Sequence, residues 1–348
     1  MSKEFDSLIK DLGCKKASDV PDCEKIPTGI SELDRVLSGG LPRGHVSEWF
    51  GSPSSHKTTV LLKTIANCQK NDPNFIALFC DNEGTFDRQW AKANGIDLDR
   101  LLLPEYDFAD DLFDKNIYPI LVKNVVDLIV IDSVATLNFK RLASRDTSKE
   151  SERDVTMNTR LERPTRMTDI CNDLTGGFTW KKNYIKLGNT KTHIAFINHL
   201  KKDMQGRDKS PGGEALKFRA SIRVKVRLTG KKEFDEGSPI SQNIFVKVLK
   251  NKVGIPFLET ELKYSWEKND YFPLLDYAVI QKALDMKLVE KSANGFFKSE
   301  YFKGSCKEIG FFKKLQSSPE LVEKLGIDYK DYFGEGVGES VIEETEGE

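Results

Sequence analysis

The sequence predicts an α/β fold, with a mainly parallel central sheet, helices on both faces, a short N-terminal helix and a small C-terminal α+β domain. Three observations carry this. From residue 25 to about 268, apolar strand-like runs alternate with helical stretches, the pattern of parallel strands joined by crossovers. A Gly/Ser/Lys loop lies between one such run, at 46–50, and a helical stretch at 58–69. A second run, Val126-Asp127-Leu128-Ile129-Val130-Ile131-Asp132-Ser133, is apolar enough for a strand buried on both faces and ends in an acid and a hydroxyl.

In chain order, residues 1–24 carry Phe5, Leu8, Ile9 and Leu12 at helical spacing, which reads as a short amphipathic helix. Residues 25–268 form the large domain. Residues 269–334 read as a smaller helical and mixed module whose clearest helix spans 274–288. The end, residues 335–348, belongs to an acidic stretch with six glutamates and no base from 334 onward, and such composition predicts disorder. A chain of 348 residues with 39% hydrophobic content suffices for one large core and a smaller one. Six cysteines without a CxxC pair point to reduced thiols in a cytosolic protein. With no apolar run near about 18 residues and no signal peptide at the start, membrane insertion and secretion are not expected. No internal repeat is visible.

The loop Gly51-Ser52-Pro53-Ser54-Ser55-His56-Lys57-Thr58, followed by Thr59, has the spacing of a phosphate-binding loop between a strand and a helix. Successive backbone N–H groups and the positive end of the next helix cradle an anion; Lys57 is placed to reach the outer phosphates and the Thr58 hydroxyl to hold Mg²⁺. His56 stands where glycine is usual. With negative φ the side chain costs little there, and with positive φ roughly a kcal/mol. Asp132, at the carboxyl end of its run, is placed to reach the Mg²⁺ shell. A third run, 75–80, ends in Asp81-Asn82-Glu83, so Glu83 is a candidate to polarise an attacking water. The plain alternatives are a surface turn for the loop and a helix cap or solvated strand end for the two acids.

The net charge of −1 is uninformative, but its distribution is not. Residues 201–232 hold eleven Lys or Arg against three acids, a net of +8, beginning in a polar Gly/Pro-containing loop after the apolar run 193–198. A flexible basic loop suits a phosphate backbone; a solvated face is the alternative.

Taken together, several blocks resemble the RecA-type strand-exchange recombinases, bacterial RecA proteins and their phage relatives, from about residue 26 to 276. They are Pro27-Thr28-Gly29 with Leu33-Asp34, Gly39-Gly40-Leu41-Pro42-Arg43-Gly44, the loop itself, residues 81–87 and residues 126–137. Further blocks are Phe196-Ile197-Asn198-His199, Gly212-Gly213-Glu214-Ala215-Leu216-Lys217-Phe218, and Val246-Lys247-Val248-Leu249-Lys250-Asn251-Lys252 with Pro256.

The resemblance implies a RecA-like P-loop ATPase core that uses ATP and Mg²⁺. It also implies a helical filament of this chain on single-stranded DNA, pairing with a homologous duplex, with single-strand-binding and loader proteins as further partners. Residues 201–213 would be the second DNA loop, with Lys201, Lys202, Arg207, Lys209, Gly212 and Gly213 at the strand and Met204 as a wedge between bases. The first would lie in 140–166, with Arg160, Arg163 and Arg166 as phosphate contacts. Trp90 aligns with an aromatic that stacks on adenine, in the same segment as Asp87. His199 stands where glutamine commonly senses the γ-phosphate. Lys250 and Lys252 align with residues that reach the neighbouring protomer's γ-phosphate, and the N-terminal helix would dock on that neighbour. Departures are His56, His199 and a short second loop lacking an aromatic residue; the short loop and His56 lean toward a phage-like member. The alternatives are a RecA-fold helicase and a non-hydrolysing mediator paralogue.

Overall fold

In the computed structural model the described residues are 9, 11–140, 152–202, 208–209, 214–235, 238–273, 277–292, 294–306, 311, 314–315 and 317–327. Nine strands form the central sheet: β1 (Val46–Gly51), β2 (Ala77–Asp81), β3 (Leu101–Leu102), β4 (Leu128–Asp132), β5 (His193–His199), β6 (Ile222–Asp235), β7 (Ser238–Asn251), β8 (Glu259–Ser265) and β9 (Asp270–Pro273). Their spatial order is β9-β8-β7-β6-β1-β5-β4-β2-β3. From β6 to β3 every pairing is parallel, while β7, β8 and β9 add antiparallel strands at one edge.

The centre of this sheet is buried on both faces, as the apolar runs predicted. Leu128 and Val130 of β4 join one core with Trp49, Leu61, Ile65 and Ile197, while Ile129 and Ile131 join another with Ile194, Phe196, Met167 and Leu174. Each such side chain contributes roughly 1.5–3 kcal/mol on burial. The helix Lys57–Asn71 covers the first face, and the helix Glu152–Gly176 sends Met167, Ile170, Cys171 and Leu174 into the second.

Ahead of the loop 51–58, the fully buried Glu48 of β1 accepts from Arg223 of β6 at 2.7 Å and from Asn198 of β5 at 3.0 Å, an ion pair and a hydrogen bond that join three adjacent strands. Gly51, the last residue of β1, is required by close approach: a Cβ there would lie 2.0 Å from the Val226 carbonyl oxygen of β6. Asp34 accepts from the backbone N–H groups of Thr28 at 2.6 Å and Gly29 at 3.1 Å, which ties together the Pro27-Thr28-Gly29 and Leu33-Asp34 blocks.

Several expectations shift. The second half of the segment 140–166, read as a loop, is helical from Glu152. It lacks glycine, is rich in good helix formers, and its continuation buries an apolar stripe. The large sheet runs on through Pro273, because β9 pairs with β8, so strand pairing passes the 268/269 boundary. Beyond it, the helix Tyr277–Asp285, a three-stranded sheet (Glu290–Lys291, Phe297–Ser299, Phe302–Cys306) and the helix Pro319–Lys324 surround a core of their own that includes Val279, Ala283, Phe297, Phe311 and Leu321. Of the N-terminal helix, Phe5 and Leu8 lie outside the described residues; residues 9 and 11 are helical, and Leu12 is exposed. The tail at 335–348 also lies outside the described residues.

Candidate nucleotide site and nucleic-acid loops

The carboxyl ends of β1, β2, β4 and β5 converge, because these strands are parallel neighbours, on a cleft of about 430 Å³. Pro53 to Thr59, Glu83, Trp90, Asp132 and His199 line it. The long helix after the loop begins at Lys57, one residue earlier than its apolar spacing suggested. Lys57 Nζ donates to the Ser52 carbonyl at 2.7 Å and to Gly51 O and Ser55 Oγ at 3.3 Å each. Burial pushes this ammonium down to about 8, against the pull of Asp132 and Glu83.

Thr58 Oγ1 donates to Asp132 Oδ2 at 2.5 Å. Burial raises the Asp132 carboxyl above its usual range, and nearby Glu83 adds to that, against the Thr58 hydrogen bond and Lys57. Glu83 Oε1 receives both the Ser133 hydroxyl and His199 Nε2, each at 2.8 Å. Desolvation would raise Glu83, but the His199 and Ser133 hydrogen bonds outweigh it and hold the carboxyl below its usual value. His199 Nδ1 is buried without a hydrogen-bond partner.

His56 has φ +67°, the left-handed region, so the side chain carries the larger of the two costs foreseen for it. Its ring is not at an open turn. It packs edge-on against Tyr264 at 5.0 Å between centroids and near Trp266 and Tyr271, and Nδ1 lies 3.2 Å from the Tyr271 hydroxyl. Asp87 does not line the cleft. It caps the helix Arg88–Ala93, accepting from Trp90 N at 2.6 Å, and so fixes the half-exposed Trp90 ring at the cleft wall.

Leu228, Tyr264 and Trp266 also line the cleft, and Ser133 supports it. None was singled out from sequence. A signal existed, since Leu262, Tyr264 and Trp266 alternate with Glu261, Lys263 and Ser265, the period of a half-buried strand.

Lys201–Lys202 and Asp208–Lys209 form a short antiparallel pair, so the basic loop opens as a hairpin directly after β5 and His199. Met204, Arg207, Gly212 and Gly213 lie outside the described residues, as does the side chain of Arg160. Arg163 Nε donates to the Leu137 carbonyl at 3.1 Å. Arg166 is committed to Asp110 and, at 3.6 Å, to Asp169, so in this state it is an ion-paired group and not the free phosphate contact expected. Neither Lys250 nor Lys252 lines the cleft: Lys250 pairs with Arg223 beside Glu48, toward the end of the sheet where β1 begins. Lys250 Nζ donates to the carbonyls of Lys217 at 2.8 Å and Phe218 at 2.9 Å, whereas Lys252 is exposed.

Residues 2–269 match the model of the RecA N-terminal domain. The chain belongs to the RecA family. Protein RecA of Fusobacterium nucleatum subsp. nucleatum is 34% identical over 347 residues, covering 97% of this chain and 83% of that protein. Protein RecA of Thermus aquaticus is 33% identical over 306 residues, covering 86% and 83%, and that of Aquifex aeolicus 32% identical over 330 residues, covering 93% and 88%. The similarity to RecA proteins thus runs through the core and into the C-terminal module, and the chain is a RecA-type recombinase; the helicase and mediator readings are not favoured. Among the described residues no helix is long and apolar enough to cross a membrane.

Proposed function

We propose that this RecA-type recombinase is a DNA-dependent ATPase that assembles as a helical filament on single-stranded DNA and exchanges strands with a homologous duplex. The observation that supports the chemistry best is the convergence of Lys57, Thr58, Glu83, Asp132 and His199 on one cleft. ATP fits this cleft: the loop N–H groups and Lys57 suit the phosphates, and Trp90 with the Tyr264/Trp266 wall suits the base. Mg²⁺ fits as well, because the Thr58 hydroxyl and Asp132 carboxylate are hard oxygen donors 2.5 Å apart and this ion takes few protein ligands beside phosphates and water. When bound, it neutralises charge on the phosphates.

In this reading Glu83 orients and polarises the attacking water. Ser133 and His199 hold its carboxylate ionised, and His199 connects that carboxylate to the DNA hairpin that starts two residues on. Lys201, Lys202, Arg207, Lys209, Gly212 and Gly213, with Met204 as wedge, contact the strand, and Arg160, Arg163 and Arg166 form a second contact segment. Arg166 takes that role only after leaving Asp110. Lys250 and Lys252, which do not line their own cleft, reach the neighbour's site, so hydrolysis takes two protomers. Six unpaired thiols suit a cytoplasmic setting. Phosphate release with and without single-stranded DNA tests the reading; nucleotide binding without any DNA-stimulated release would sink it.

A further inference from the structure

Ahead of β5, the strands Phe178–Trp180 and Asn183–Ile185 form a hairpin closed by Lys181 and Lys182. Both closing residues have positive φ, 42° and 72°. A two-residue turn of this kind favours Asn-Gly, since left-handed conformation is unfavourable for residues bearing a Cβ. Here two lysines occupy it, and they set two ammonium groups at the tip. No acidic residue occurs from 174 to 191, and Lys186 adds a third cation. Tyr184 is 61% exposed on the outer face, with Lys186 Nζ 6.0 Å from its ring centre, while Lys181 Nζ sits 4.6 Å from that of Trp180.

The hairpin is anchored. Phe178 packs on Tyr118 at 4.2 Å between ring centres, and Trp180 Nε1 donates at 3.2 Å to the Asp114 carbonyl, inside the π-helical turn Leu112–Ile117. Asp110 and Asp111, in the short helix Ala109–Asp111 that runs into this turn, hold Arg166 and Lys140. Through this helical segment the hairpin is linked to Lys140 and Arg166, two residues of the candidate DNA segment at 140–166.

We propose that this hairpin is an accessory single-stranded DNA contact, the lysines meeting phosphates and the Tyr184 ring stacking on a base. Exposed aromatic rings interleaved with cations are the chemistry of unpaired strands, whose bases offer free faces; duplex offers phosphates alone. The inference rests on the DNA-binding reading above, but on residues outside both loops.

Lys181→Asn with Lys182→Gly supplies the favoured turn while removing both charges, so the fold is kept and loss of binding is not loss of structure. In the full chain, oligo(dT) binding should weaken and the slope of log K against log salt should flatten by about 1.4, roughly 0.7 for each lost phosphate contact. Tyr184→Ala should weaken binding without changing that slope, and Tyr184→Phe should retain it. Iododeoxyuridine-substituted oligo(dT) should crosslink to the peptide containing Tyr184. An unchanged salt slope, or crosslinks confined to residues 201–213, overturns the hairpin proposal. Crosslinks at the hairpin without any at 201–213 support it and count instead against the loop assignment. Preference for duplex with no effect of Tyr184→Ala overturns the single-strand assignment, as does displacement by polyglutamate in place of DNA.

Discussion

His199 Nε2 lies 2.8 Å from Glu83 Oε1, on the same carboxylate oxygen that accepts the Ser133 hydroxyl. The contact joins the end of β5, where the basic hairpin begins, to the end of β2, where the water-polarising candidate sits. Removal of the imidazole leaves Glu83 with its desolvation cost and one hydrogen bond fewer, so its pKa should rise. In His199→Ala the acid limb of the pH–rate profile should move to higher pH, and in His199→Gln, which keeps an N–H donor, less so. An unmoved limb in the alanine variant would separate the two residues functionally.

Glu83→Gln should bind ATP normally and lose turnover by about 10²- to 10⁴-fold, the range for a positioned general base. Lys57→Ala should lose tight binding itself. Equilibrium binding and single-turnover hydrolysis tell the two defects apart.

The Lys57 ammonium, lowered by burial to about 8, makes nucleotide affinity pH-dependent. Above that value the loop lysine is increasingly neutral before phosphate binds, so affinity should fall about tenfold per pH unit. Stability runs the other way. Folding depresses this pKa from 10.5, so between about 8 and 10.5 the unfolded chain binds more protons, and this group's contribution to stability rises with pH there. A binding titration from pH 7 to 10 that stays flat would remove Lys57 from the phosphates.

His56 separates backbone strain from packing. Glycine and alanine both lose the contacts to Tyr264 and Tyr271, but only alanine keeps the cost of φ +67°. His56→Ala should therefore be less stable than His56→Gly by about 1 kcal/mol in denaturant unfolding. Equal midpoints would mean that the loop changes conformation when the ring leaves.

If sites are shared between protomers as proposed, complementation follows. Glu83→Gln and Lys252→Ala proteins should each hydrolyse ATP poorly alone. Mixed on single-stranded DNA they should regain activity, since some interfaces combine an intact Glu83 with a neighbour's intact Lys252. A mixture no more active than its parts would mean that Lys252 does not serve a neighbour's site.

The sequence by itself determined the parallel core and the candidate phosphate loop, because both are written in local patterns. The double-faced burial of β4 and β5 shows as unbroken apolar runs, and Gly51, Lys57, Thr58 and Asp132 sit at strand and helix ends that such runs delimit. Tertiary structure alone decided what meets across the sheet. Ser133 and His199 converge on one oxygen of Glu83 from separate strands, and the antiparallel edge brings Tyr264 and Tyr271 onto a histidine more than two hundred residues earlier. Arg166 and Arg163 were expected as phosphate contacts, yet docking of the helix Glu152–Gly176 engages one with Asp110 and the other with the Leu137 carbonyl. Local spacing encodes periodicity and termini. Partners distant in the chain depend on strand order and helix docking, which only the packed core specifies.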